Sequence, residues 1–274
     1  MLAAVTRSPG TMVVEDVSGP EPAGAGHVIV RPEAVGICGS DFHLYSGDVG
    51  ALSGVPRVPE AAVFGVGDLD PDCAAFVETA SVVMHAVARG QVRAGEQAVV
   101  FGAGPIGLAT VLAAVSAGAR VLSIDPVSPR RDLAKRLGAE EVVWADYPQA
   151  VLEWTRGEGP PLIVETSGEA SVLPRAVEMV AAAGRIVVIG MSSGSVPMRP
   201  GVFPAKEIDV IGSSCATAGD FRAAIRLVSA HRGSLAALFS HHFPLTRVTE
   251  AFEFAMARPP DAIKVVVTVD EDTH

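Results

Sequence analysis

Gly102-Ala103-Gly104-Pro105-Ile106-Gly107 lies between a short apolar run and an Ala/Leu/Val-rich stretch. Glycines at this G-x-G-x-x-G spacing, between a predicted strand and a predicted helix, suit the close approach of backbone to a pyrophosphate. Gly102 permits the tight turn, Gly104 admits the phosphates, and Gly107 lets the helix pack on the strand. Pro105 and Ile106 open the helix, whose N-terminus offers free N–H groups and a positive dipole end. Asp125 ends the next predicted strand, at the separation expected of a carboxylate that binds ribose hydroxyls. A carboxylate there repels the 2′-phosphate of NADP, so NAD is the expected cofactor; the plainer role for Asp125 is to cap the following turn. Arg130, counted with the cofactor residues, and Arg131 are what could accommodate NADP instead, or they face solvent on a helix.

The elements that must position these residues follow from hydrophobic patterning. Gln97–Phe101 reads as a strand, followed by the glycine turn and a helix to about Ala117. Arg120–Ile124 reads as a second strand, Pro129–Leu137 as an amphipathic helix, and Glu141–Trp144 as a third short strand. Leu162–Val164, Ile186–Ile189 and Asp209–Ile211 continue the series, with helices around Val172–Ala182 and Phe221–Ala230. Strands alternating with helices imply βαβ units and a mostly parallel sheet, and the near-continuous apolar character of the strands fits cover on both faces. The fold class is therefore α/β, a Rossmann doubly wound parallel sheet. Upstream, short runs at Met12–Val14 and His27–Arg31 between Gly/Pro clusters suit a small β-rich domain. Asp70-Pro71 looks like an N-cap with proline at the first helical position, opening a helix to Ala88.

Composition narrows the classes of partner. The 274 residues are 49% apolar, which is ample for a core. The net charge of −10 is spread out with no Lys/Arg run to neutralise phosphates, and aromatics are only 5%, so nucleic acid is not an expected partner. Apolar stretches are broken before they could cross a bilayer. The opening residues lack a signal-peptide pattern, and Cys38, Cys73 and Cys215 form no C-x-x-C pair, so the expectation is a reduced, cytoplasmic protein.

Gly36-Ile37-Cys38-Gly39-Ser40-Asp41-Phe42-His43, followed downstream by the glycine turn, resembles the zinc-dependent medium-chain dehydrogenase/reductase family, its alcohol and polyol dehydrogenases above all. Val77-Glu78 before a helix carrying His85, Glu165-Thr166-Ser167-Gly168, Gly212-Ser213, Phe243-Pro244-Leu245 and Lys264-Val265 extend the match nearly end to end. The resemblance implies a GroES-like β domain over 1–86, completed by 236–274, and an NAD-binding Rossmann domain over 87–235. It implies that Cys38 and Glu78 belong to a zinc site, that Ser40 passes the substrate proton toward solvent, and that His43 is next in that relay. Such a zinc would lower the pKa of a bound alcohol before hydride passes to NAD. The resemblance also implies a small alcohol or polyol substrate and a homo-oligomer, dimer or tetramer, with Ile208–Ile211 as the pairing edge.

One departure is decisive. Members carry a Gly-His-Glu motif that supplies the second zinc ligand, and many have a four-cysteine lobe; here Pro56-Arg57-Val58-Pro59 runs directly into Glu60-Ala61-Ala62-Val63-Phe64. Several dozen residues of the β domain are missing at that junction, and the chain contains no Gly-His-Glu. Cys38 and Glu78 are two ligands of a site that needs about three. Three readings follow: an NAD-dependent alcohol or polyol dehydrogenase; a non-catalytic dinucleotide-binding protein derived from one; and a zinc-free NADPH-dependent enone reductase, which Cys38 and Asp125 oppose. Removing barrel strands also exposes edges and apolar interior. His231, His241 and His242 are expected in structural or surface roles.

Overall fold

The computed structural model describes residues 2–19, 21–46, 57–192 and 194–269, and the side chains of these apart from His43, Leu44 and Arg57. The chain divides into two compact units, Met1–Phe76 with Leu235–His274, and Val77–Ser234.

The first unit begins with a hairpin, β1 (Leu2–Ser8) and β2 (Thr11–Asp16). Gly10, at a φ of +74°, makes its turn. Short β3 (His27–Ile29) and β4 (Ala34–Gly36) precede α1 (Gly39–Ser46), and β5 (Arg57–Pro59) pairs antiparallel with β3. Tyr45 fixes α1 against the hairpin: its hydroxyl donates to Gly10 O at 2.8 Å, and Gly10 N donates to Tyr45 O at 2.7 Å. Asp70 caps α2 (Pro71–Arg89), accepting from Cys73 N at 2.9 Å, and that bond more than any other holds its carboxyl below the ordinary value.

The second unit alternates strand and helix: β6 (Gln97–Phe101), α3 (Pro105–Ser116), β7 (Arg120–Ile124), α4 (Ser128–Arg136), β8 (Glu141–Val143), α5 (Tyr147–Trp154), β9 (Leu162–Glu165), α6 (Val172–Met179), β10 (Arg185–Val188), α7 (Val202–Lys206), β11 (Asp209–Gly212) and α8 (Ala218–Leu235). Its six strands are parallel in the order β11-β10-β9-β6-β7-β8. Renumbered from β6, this is the 3-2-1-4-5-6 order of a dinucleotide fold, with the order reversing between β6 and β9. Val99, Leu122, Ile163 and Ile186 are buried at the centre, because helices cover both faces of the sheet.

The chain then returns to the first unit through β12 (Phe239–Pro244), α9 (Val248–Ala257) and β13 (Lys264–Thr268). Strand β13 pairs parallel with β12 and antiparallel with β4. Met12, Ile37, Tyr45, Phe252 and Val265 form a small core here. The described strands of this unit form separate sheets of two, three and two strands. Ile29 on β3 and Val35 on β4 are exposed, as is Val63 after β5.

Candidate dinucleotide site and the residues of the first unit

The glycine turn follows β6 directly, and each glycine answers a different demand. Gly102 has a φ of +92°, and a Cβ there would meet Thr166 Oγ1 at 2.8 Å. At Gly107 a Cβ would lie 2.7 Å from the Gly102 carbonyl carbon, so α3 can approach the turn only without a side chain. Gly104 differs: its φ of −74° suits any residue, and a Cβ would meet nothing within 4 Å. The protein's own packing therefore explains Gly102 and Gly107 but not Gly104, where the cradle is open on the outer side. Pro105 occupies the first turn of α3, and the helix supplies its unpaired N–H groups beside that opening.

Asp125 follows β7 and is 4% exposed. Its Oδ2 accepts from Ala103 N at 2.7 Å and its Oδ1 from Val127 N at 2.8 Å. The carboxylate thus caps its own turn and also anchors the glycine turn. Each carboxylate oxygen accepts about two hydrogen bonds, so one acceptor position on each remains for a ribose hydroxyl. Arg130 and Arg131 lie in the first turns of α4, both half-buried, and Arg131 Nη1 donates to Asp125 O at 2.6 Å.

On the other side of the switch point, β9 braces the same turn. Thr166 Oγ1 donates to Phe101 O at 2.7 Å. Buried Glu165 accepts on Oε1 from Ser167 N at 2.7 Å and Gly168 N at 3.0 Å, and a Cβ on Gly190 would lie 2.7 Å from Gly168 Cα. The sequence signal for the bracing role of Glu165–Gly168 is a polar cluster directly after an apolar strand.

Cys38, Ser40 and His43 belong to the first unit. Cys38 is half-buried, and its amide donates to Asp41 Oδ2 at 2.8 Å, which caps α1. Ser40 is exposed in the first turn of that helix, and the His43 side chain lies outside the described residues. Glu78 is an exposed residue of α2 in the second unit, accepting from Thr79 Oγ1 at 3.2 Å. Among the described residues no group of three His, Cys, Asp or Glu could hold a metal ion. The described donors therefore do not supply the three or so protein ligands that a catalytic zinc takes.

Three of the other histidines have described partners. His85 Nδ1 lies 3.0 Å from Asp220 Oδ2, which also accepts from Thr217 N at 2.8 Å. His231 meets Ser116 at 3.1 Å, and His242 meets Asp72 at 2.8 Å. None of the three cysteines is joined in a disulfide, and no described helix is long and apolar enough to cross a membrane.

The zinc-binding dehydrogenase family model matches residues 105–230, all within the second unit. It is 33% identical over 195 residues to 2-dehydro-3-deoxy-L-galactonate 5-dehydrogenase of Pseudoalteromonas atlantica, a match covering 70% of this chain and 57% of that one. The chain thus spans little more than half of that relative. It is 26% identical to D-xylulose reductase of Saccharomyces cerevisiae over 344 aligned positions covering 97% of each. Those positions outnumber the 274 residues here by 70, so at least that many have no counterpart in this chain. Among solved structures, an alcohol dehydrogenase from Escherichia coli CFT073 complexed with NADH superposes with a TM-score of 0.86 at 22% identity, covering 98% of this chain and 99% of that one. A chain from Sinorhizobium meliloti 1021 bound to NADP superposes with a TM-score of 0.86 at 23% identity, covering 97% and 98%.

Proposed function

We propose that this chain is an NAD-dependent oxidoreductase that exchanges hydride with the carbinol carbon of a secondary alcohol or polyol. The pyrophosphate rests at the N-terminus of α3 against Gly102, Gly104, Pro105, Ile106 and Gly107, and Asp125 takes the ribose hydroxyls. The observation that carries this is Gly104, a glycine that neither backbone angle nor packing demands and that opens a cradle beside free helix N–H groups. The Asp125 charge favours NAD over NADP, and Arg130 with Arg131 lies on the adenosine side. Relatives that carry dehydrogenase and reductase names on sugar acids and pentuloses support the substrate class. On the first unit, Ser40 with His43 is the proposed route for the alcohol proton; Cys38 and Glu78 match the family's zinc residues. No step runs through zinc, because the described donors do not make up its ligand set.

A second reading, dinucleotide binding without turnover, is favoured by the lack of a three-ligand group among the described residues. The two are separated by following NADH formation with a panel of polyols and secondary alcohols, on protein as purified and after exhaustive chelation. Turnover that survives chelation supports an oxidoreductase without zinc. Turnover that chelation abolishes shows a metal bound through a ligand outside the expected set. NAD binding with no turnover on any substrate supports the second reading. We also propose a homo-oligomer pairing through β11, the sheet's edge strand, whose Val210 is 41% exposed; light scattering that finds only monomer across a concentration series excludes it.

A further inference from the structure

Beyond Asp125, the carboxyl edge of the sheet runs on to β8, and Trp144 follows that strand directly. Asp125 N donates to Val143 O at 3.2 Å, so the carboxylate and the tryptophan stand at adjacent strand ends. Trp144 is 49% exposed, a large apolar surface left in water at the rim of the proposed coenzyme site. It is nonetheless supported from behind. Its ring lies 6.3 Å from that of Tyr147, tilted by 31°. Tyr147 meets Phe101 edge-on at 5.5 Å, and its hydroxyl accepts from Arg175 Nη1 at 2.8 Å. Phe101 is the residue before Gly102, so a row of rings runs from the glycine turn to Trp144.

A dinucleotide on this sheet places its phosphates at the glycine turn and its adenosine ribose at the acidic residue of the next strand. The base on that ribose then points outward, over the carboxyl ends of β7 and β8. We propose that Trp144 is the platform for the adenine, its indole face covering the purine; this rests on the coenzyme reading above. Stacking on an aromatic face is tolerant of base identity. The site should therefore take adenine nucleotides that lack the nicotinamide half, such as ADP-ribose, and refuse nicotinamide mononucleotide.

The chain has two tryptophans, so Trp154→Phe leaves Trp144 as the sole indole reporter. In that background ADP-ribose and NAD are expected to change the fluorescence with saturation, and nicotinamide mononucleotide is not. By calorimetry, Trp144→Ala is expected to weaken NAD and ADP-ribose alike by about tenfold, equivalent to 1.4 kcal/mol. Trp144→Phe restores most of the loss, and because the side chain is half-exposed both variants should keep the wild-type melting temperature. Equal NAD affinity in wild type and Trp144→Ala overturns the platform and leaves the coenzyme reading standing. No NAD binding by the wild-type chain overturns both.

Discussion

Gly104→Ala separates coenzyme binding from folding. The backbone at this position, φ −74° and ψ −172°, is open to alanine, and the added methyl meets no protein atom within 4 Å. Folding stability should stay within about 1 kcal/mol of wild type, and could rise slightly because alanine restricts the unfolded chain. The methyl instead projects where the pyrophosphate approaches the backbone. Non-bonded carbon contacts sit at about 3.5 Å or more, whereas N–H···O bonds need about 2.7–3.2 Å. A phosphate oxygen pushed back by the methyl loses at least one charge-assisted hydrogen bond, worth about 1.5–3 kcal/mol. NAD affinity should therefore fall by roughly 10- to 150-fold. The assay is a calorimetric NAD titration beside a ligand-free melting curve. Gly107→Ala is the contrast: its methyl would lie 2.7 Å from the Gly102 carbonyl carbon and 2.8 Å from Thr166 Oγ1, so stability and affinity should fall together, stability by about 1–3 kcal/mol or more. A Gly104→Ala chain that binds NAD as tightly as wild type refutes the placement of the pyrophosphate.

Three further perturbations test other parts of the site and its frame. Asp125→Asn leaves one oxygen to serve both Ala103 N and Val127 N, so melting should show a loss of about 1–3 kcal/mol, and calorimetry a narrowed preference for NAD over NADP. Arg185 donates to the carbonyls of Gly90 and Gln91 and pairs with Glu96 at 2.8 Å, the two side chains being 13% and 10% exposed. Arg185→Ala removes the charge partner of that carboxylate, leaving it the Arg93 amide, and should cost about 3–5 kcal/mol in denaturant unfolding. Burial pushes the Asp220 carboxyl up, but hydrogen bonds from the Thr217 side chain and backbone, with His85, outweigh it and hold it below the ordinary value. A depressed carboxyl stabilises the fold above its unfolded pKa of about 3.9 and stops doing so as pH falls through the lower folded value. Asp220→Asn should therefore flatten the acid limb of the stability profile, measured by denaturant unfolding from about pH 2 to 5.

The sheet of the second unit was legible because its signals are local. Four of its six strands are apolar runs ended by glycine or a charge, and Arg120–Ile124 appears with the expected bounds. Helix α1 was not legible: Gly39–Ser46 is short and begins with glycine, and what holds it is Tyr45 against Gly10 and Phe252, distant in sequence. Helix α5 escaped for a related reason, since Asp146 precedes it at a φ of +53° and Trp144 masks the strand end. In the site, the glycine turn and Asp125 could be read from spacing alone. The bond from Ala103 N to Asp125 could not, nor could the pairing of His85 with Asp220, 135 positions away. Spacing also could not say that Gly104, unlike Gly102 and Gly107, has no role in packing. The lack of a Gly-His-Glu motif was visible in the sequence itself.

Calorimetric titration of the 274-residue chain with NAD and, separately, with NADP tests the dinucleotide site most directly. A site built on Gly104 and Asp125 requires saturable NAD binding at one site per chain, at least about tenfold tighter than NADP, the 1.4 kcal/mol expected when a buried carboxylate faces a 2′-phosphate. No saturable binding of NAD, or tighter binding of NADP, would contradict it.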